Sequence, residues 1–146
     1  MSVKQIVVRD VDVCDPTESV QRAAQRMHDR NVGMLVVCDQ TRTPIGVLTD
    51  RDVAVRIVAE GRDPMLTTVA SVMITAVASI GEDTSIEIAL QSMRAAPCRR
   101  LPVVDAYGVL IGILSLDDVL NWLTGEFNDI HAVLQREGPS SLIAGG

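Results

Sequence analysis

Two short stretches carry the same reactive groups at the same spacing: GVLTDRD, from Gly46 to Asp52, and GILSLDD, from Gly112 to Asp118. In each, an apolar run ends in a hydroxyl, Thr49 or Ser115, and a carboxylate follows three residues later, Asp52 or Asp118. A chain that leaves a strand and enters a helix exposes free backbone N–H groups and the positive end of the helix dipole, so an anion is favoured there. The hydroxyl can donate to a phosphate or ribose oxygen. The carboxylate, within the first helical turn and on the same side, can accept from the two vicinal hydroxyls of a ribose. Gly46 and Gly112 permit a close backbone approach. Ribose plus phosphate is the ligand fragment that suits both groups, with adenine between aliphatic residues of neighbouring strands. The competing reading is structural, because a hydroxyl followed three residues on by an acid also describes an ordinary helix N-cap.

Three arginines stand near these motifs. Arg99 and Arg100 precede the second Leu-Pro-Val run, where the first copy has Gly33 and Met34, and Arg51 lies inside T-D-R-D. The planar guanidinium fork matches phosphate geometry, so the sequence predicts one stronger cleft and one weaker or empty one. The bland alternative for Arg99 and Arg100 is a pair of strand-edge charges that discourage edge pairing. Asp50 with Asp52, and Asp117 with Asp118, read as carboxylates compensating a helix dipole; magnesium enters only as the companion of a nucleoside triphosphate. His28 and His131 have no metal-ligand or triad partner in spacing. Cys14, Cys38 and Cys98 show neither C-x-x-C spacing nor a neighbouring histidine, so they read as reduced core residues and not as a zinc or disulfide set. No catalytic constellation emerges.

The bulk properties narrow the function classes. With a formal charge of −6 and a pI near 4.8, the surface repels phosphate backbones and anionic lipid, which argues against nucleic-acid and membrane-surface partners. Aromatic residues are only 2% of the chain, too few for a base-stacking platform. No apolar run reaches the roughly 18 residues of a membrane span, and no signal core follows the amino terminus, so a soluble cytoplasmic protein is expected.

The motifs recur because the chain repeats. Displaced by 66 positions, Val11–Val53 aligns without a gap on Val77–Val119, and 13 of the 43 pairs are identical, including Gly46/Gly112, Leu48/Leu114 and Asp52/Asp118. Each copy has an apolar stripe at i, i+3, i+4 and i+7 (Val20, Ala23, Ala24, Met27; Ile86, Ala89, Leu90, Met93), which predicts a helix. A Thr or Asp just before each stripe is the expected cap, and Thr84 with Glu87 has capping-box spacing. Two short apolar runs across a polar turn follow, Met34–Cys38 with Ile45–Leu48 and Leu101–Val104 with Leu110–Leu114, which read as hairpins. A second helix comes after each hairpin, from Asp50 to about Glu60 and from Asp117 to about Thr124. The predicted unit is β-α-β-β-α, used twice, an α+β fold with sheet packed on sheet in pseudo-twofold symmetry. The division is 1–66, 67–125, and 126–146 for a separate short helix and a disordered tail, with Gly61–Thr68 as linker.

With the G-h-x-[T/S]-x-x-D motif in both copies, T-D-R-D after the first hairpin and R-R-L-P-V-V-D at Arg99–Asp105, the chain resembles a tandem pair of cystathionine-β-synthase (CBS) domains, a Bateman module, over about Val3–Thr124. The resemblance implies a binding module and not a catalyst. It would take an adenosine-containing ligand between the copies: AMP, ADP or ATP foremost, NAD or S-adenosylmethionine as further candidates. Carried over by position, Thr49, Asp52, Ser115 and Asp118 would hold ribose and phosphate. Paired modules commonly form a flat homodimer, and the signal would pass to an effector protein that the chain does not name. A ligand-independent dimerisation or scaffolding module is the alternative.

Overall fold

The computed structural model describes residues 1–96 and 98–136, and in it the duplication becomes two β-α-β-β-α units. The first consists of β1 (Val13–Cys14), α1 (Val20–Arg30), β2 (Met34–Cys38), β3 (Pro44–Thr49) and α2, which is α-helical over Asp50–Asp52 and continues as a π-helical turn over Val53–Val58. The second consists of β4 (Ile80–Gly81), α3 (Ile86–Ala95), β5 (Arg100–Val104), β6 (Leu110–Ser115) and α4 (Leu116–Arg136). Each unit forms a three-stranded sheet, with the leading strand parallel to the middle one and the hairpin antiparallel.

The apolar stripes are the buried faces: Val20, Ala23 and Met27 on α1, and Ile86, Ala89 and Met93 on α3. The caps differ from expectation. Ser19 and Ser85 start the two helices, their hydroxyls accepting from Arg22 N–H (3.2 Å) and Ile88 N–H (3.3 Å). Thr17 is drawn instead into a turn with Asp15, and the Thr84 carbonyl accepts from Val3 N–H at 2.8 Å. The helix therefore begins one residue later than a Thr84 cap requires.

Between the sheets, Val36, Cys38 and Leu110 are buried together with Val11, Val13 and Ile113 packed around them. This seam joins β1 and β2 of one unit to β6 of the other. The units also exchange their leading segments. Val8 and Ile113 swap two backbone hydrogen bonds of 2.9 Å, and Val47 and Ile74 do the same at 3.0 and 2.9 Å. Val3 consequently sits in the core of the second unit, while Val69 and Val72 sit in the core of the first. The sequence repeat and the packing units are thus offset, because each unit's sheet is completed by the segment preceding the other unit's first strand.

This exchange explains Gly46 and Gly112 differently from the close ligand approach expected of them. A Cβ on Gly112 would lie 2.5 Å from the Val8 carbonyl oxygen, and one on Gly46 would lie 2.9 Å from that of Ile74. The protein's own backbone occupies the space that the missing side chain leaves.

The end of the chain also differs from expectation. Helix α4 runs unbroken through Gly125 to Arg136, so the two short helices expected there are one 21-residue helix. A lone internal glycine costs only about 1 kcal/mol relative to alanine, and the apolar face continues on both sides of it. The GPSSLIAGG segment, predicted to be disordered, lies outside the described residues.

Candidate functional site

Both motifs fold as reciprocal caps. At the first, Thr49 N–H and Thr49 Oγ1–H each donate to Asp52 Oδ2 at 2.9 Å, and Asp52 N–H donates back to Thr49 Oγ1 at 3.1 Å. At the second, Ser115 N–H and Oγ–H donate to Asp118 Oδ2 at 3.1 and 2.7 Å, and Asp118 N–H returns a bond of 3.1 Å. The hydroxyl protons assigned to a phosphate or ribose are here spent on the aspartates. Each carboxylate retains one oxygen, Oδ1, outside the cap. Asp52 is buried, and Asp118 is partly so.

The two copies then diverge. A cleft of about 610 Å³ opens between the units, within the roughly 300–1,000 Å³ of ordinary ligand sites. Its polar wall combines Thr49, Asp50, Arg51 and Asp52 from the first unit with Arg99 and Arg100 from the second. Its apolar wall comes from Met34, Val47, Ile74, Ala78 and Leu101. Arg99 Nη2–H reaches Asp117 Oδ1 at 3.4 Å, with both side chains largely exposed, a contact that screening keeps weak. The arginines of the second copy therefore face the hydroxyl-carboxylate motif of the first. Sequence reasoning named these six polar groups separately; packing brings them together.

The pseudo-twofold mate of this cleft is smaller, about 220 Å³, below the ordinary range. Its lining is the 66-residue image of part of the first: Val8 for Ile74, Asp10 for Ala76, Asp12 for Ala78 and Gly33 for Arg99, with Met34 and Arg100, themselves a 66-residue pair, lining both clefts. Arg30 closes on the two acids, with Nε–H donating to Asp12 Oδ1 at 2.7 Å and Nη2–H to Asp10 Oδ2 at 2.8 Å, and these bonds hold its guanidinium above its ordinary pKa. Gly112, Ser115 and Asp118, which the sequence grouped with the site, line neither cleft.

Sequence reasoning missed the Ile74–Ala78 segment and the Asp10–Asp12–Arg30 cluster. The first was legible as a short run of small and apolar residues between linker and β4. The second needed only the aligned positions to be compared for charge, since Ala76 and Ala78 stand opposite Asp10 and Asp12.

The cysteines occupy apolar surroundings. Burial pushes the Cys14 thiol up to about 12, so it stays protonated at neutral pH, and the same cause raises Cys38 and Cys98. Cys98 lines the larger cleft. Among the described residues, no three His, Cys, Asp or Glu side chains are grouped to hold a metal ion, and no helix is long and apolar enough to cross a membrane.

Comparison with known proteins adds the following. The CBS domain model matches residues 3–59 and 69–125. The CBS domain-containing protein YhcV of Bacillus subtilis is 40% identical over 126 residues, covering 86% of this chain and 88% of that protein. An uncharacterized protein of Methanopyrus kandleri is 33% identical over 120 residues; the match takes in 82% of this chain but only 61% of that protein's length. Among solved structures, the CBS domain pair of protein MJ0100 in complex with 5′-methylthioadenosine and S-adenosyl-L-methionine superposes with a TM-score of 0.76 at 23% identity, over 86% of this chain and 98% of that one. The Pyrobaculum aerophilum CBS protein PAE2072 complexed with AMP gives 0.73 at 22%, over 81% and 89%. At these identities the two structures are likenesses of fold.

Proposed function

The chain belongs to the CBS domain family, and from that premise we propose that it is a regulatory module, not an enzyme, that binds an adenosine-containing ligand in the larger cleft and signals to a partner protein. The observation that carries this reading is the asymmetry of the two clefts. Arg100 lines both, but only the larger also has Arg51 and Arg99 around an apolar floor; its mate carries Asp10 and Asp12 with Arg30 across them. A module that served only as a scaffold would have no reason to place Arg51 and Arg99 at one of two equivalent places and two carboxylates at the other. The alternative, ligand-independent scaffolding, draws on the capping boxes, which satisfy both aspartates without a ligand.

In the proposed complex, adenine lies on Met34, Val47, Ile74, Ala78 and Leu101, the ribose hydroxyls donate to Asp52, and the phosphates meet Arg51, Arg99 and Arg100. AMP, ADP and ATP fit this charge pattern best, with magnesium arriving only alongside ATP; S-adenosylmethionine and NAD are the further candidates. Complexes of AMP and of S-adenosylmethionine in proteins of the same fold support this ligand class.

Calorimetric titration with AMP, ADP, ATP, NAD and S-adenosylmethionine tests the reading. One ligand per chain is expected, and Arg99→Met with Arg100→Met should weaken a nucleotide by about tenfold or more and flatten the dependence of affinity on salt. Two equal sites per chain, or none, would overturn it.

We also propose a homodimer. Leu120, Phe127, Ile130 and Leu134 recur along α4 at alternating three- and four-residue steps when Leu123 is included, and each of the four is more than half exposed. An apolar row of this length marks an interaction surface. Phe127→Glu combined with Leu134→Glu should convert the species seen by analytical ultracentrifugation at micromolar concentration from dimer to monomer, leaving the far-UV spectrum unchanged. A monomeric unmodified protein would remove the proposal.

A further inference from the structure

Asp52 and Asp118 occupy equivalent positions and make equivalent caps, yet only Asp52 has a cation beside its spare oxygen. Arg56 Nε lies 3.9 Å from Asp52 Oδ1, and Arg56 Nη1–H donates to the Val72 carbonyl at 2.8 Å. The distance to Asp52 is that of an ion pair without a hydrogen bond, so it adds a directional pull on Oδ1 to the capping bonds that hold Oδ2, while leaving the Oδ1 lone pairs open to another donor. The aligned residue of the second copy is Trp122, whose indole N–H is buried without a partner. Asp118 therefore has no such neighbour.

Two further observations set Arg56 apart. It sits in the π-helical turn Val53–Val58, closed by Ala59 N–H donating to the Ala54 carbonyl at 3.0 Å, whereas the matching stretch of α4 is regular α-helix. Single π turns inside helices are rare and concentrate at functional positions. Its anchor, Val72, lies two residues before Ile74, which pairs with Val47 on the cleft floor. One guanidinium thus links the Asp52 carboxylate, helix α2 and the floor segment.

We propose that Arg56 is a positioning residue for Asp52: it aims Oδ1 into the larger cleft and so makes that cleft select a ribose over a sugar lacking its hydroxyls. The inference rests on the nucleotide-binding reading above. Arg56 is outside the cleft lining and acts through Asp52, which distinguishes it from the phosphate-facing arginines.

The test compares AMP with 2′,3′-dideoxy-AMP, titrated into the unmodified protein, Arg56→Met and Arg56→Lys. The unmodified protein should favour AMP by about 10- to 100-fold, the range of one charge-assisted hydrogen bond. In Arg56→Met that preference should shrink to about threefold or less, through weaker AMP binding with dideoxy-AMP unchanged, and Arg56→Lys should recover part of it. Unfolding temperatures without ligand should agree within a few degrees, because Arg56 is nearly half exposed. A preference left intact in Arg56→Met, or equal losses for both nucleotides, overturns the positioning role while leaving the nucleotide site standing. An unmodified protein that binds no adenine nucleotide overturns the underlying reading instead.

Discussion

Replacing Asp52 by Asn should weaken adenine-nucleotide binding by about 1.5–3 kcal/mol, roughly 10- to 150-fold, while changing folding stability by less than about 1 kcal/mol. The separation follows from the two oxygens. Oδ2 is a cap acceptor for Thr49 N–H and Oγ1–H, and an Asn carbonyl oxygen can take those same bonds. Oδ1 is the free acceptor facing Arg56, and in Asn that position becomes an N–H₂ group, which cannot accept from a ribose hydroxyl and points donors at a guanidinium. Asp118→Asn should leave the same titration within about twofold, because Asp118 caps α4 and lines neither cleft. Calorimetric titration with urea unfolding on the three proteins decides between the readings. Two silent variants in the binding assay would favour the scaffolding module, where the carboxylates do nothing but cap.

The largest stability loss from a single methyl is expected at Gly112. An added Cβ meets the Val8 carbonyl oxygen at 2.5 Å and Val7 Cγ2 at 2.6 Å. The carbonyl belongs to the paired bonds between Val8 and Ile113 that hold the amino-terminal segment on the second unit. Relieving the clash means moving that segment and stretching both bonds, at about 2–3 kcal/mol, which lowers Tm by roughly 5–10 °C for a domain of this size. Gly46→Ala should follow in the same direction, since Ile74 O stands 2.9 Å from its Cβ position. Gly125→Ala is the control: nothing lies within 4 Å of its Cβ, φ is helical, and the change should stabilise by about 0.5–1 kcal/mol. If Gly112→Ala melts with the unmodified protein, the segment exchange is not holding the fold.

Much of the fold was written in local pattern. The α1 and α3 stripes, the hairpins and their turns obey short-range rules of periodicity and turn chemistry, so β2 is found where Met34–Cys38 is expected and the other three hairpin strands extend one residue beyond the expected ends. The errors fell where local signals tie. Thr17 and Ser19 are both good caps, and the choice went to Ser19 because Asp15 holds Thr17 in a turn. Gly125 reads as a breaker, but its modest propensity cost of about 1 kcal/mol is too small to end α4, whose flanking residues are mostly good helix formers.

The sequence by itself determined the duplication, the class of each element and the chemical identity of the motif groups, since a 66-residue offset and a hydroxyl-carboxylate spacing need no third dimension to be read. What only the tertiary structure decided is which copies work together. Thr49 and Asp52 share a cleft with Arg99 and Arg100 because the sheets pack back to back, and the leading segment of each unit is exchanged because Val8 and Ile74 find their backbone partners on the other sheet. The same packing sets Ala76 and Ala78 against one cleft and Asp10 and Asp12 against the other. Charge that appears evenly scattered along the chain thereby gives one cleft three arginines against two aspartates and the other two aspartates against Arg100, with Arg30 paired to both acids, a difference of place that no one-dimensional spacing encodes.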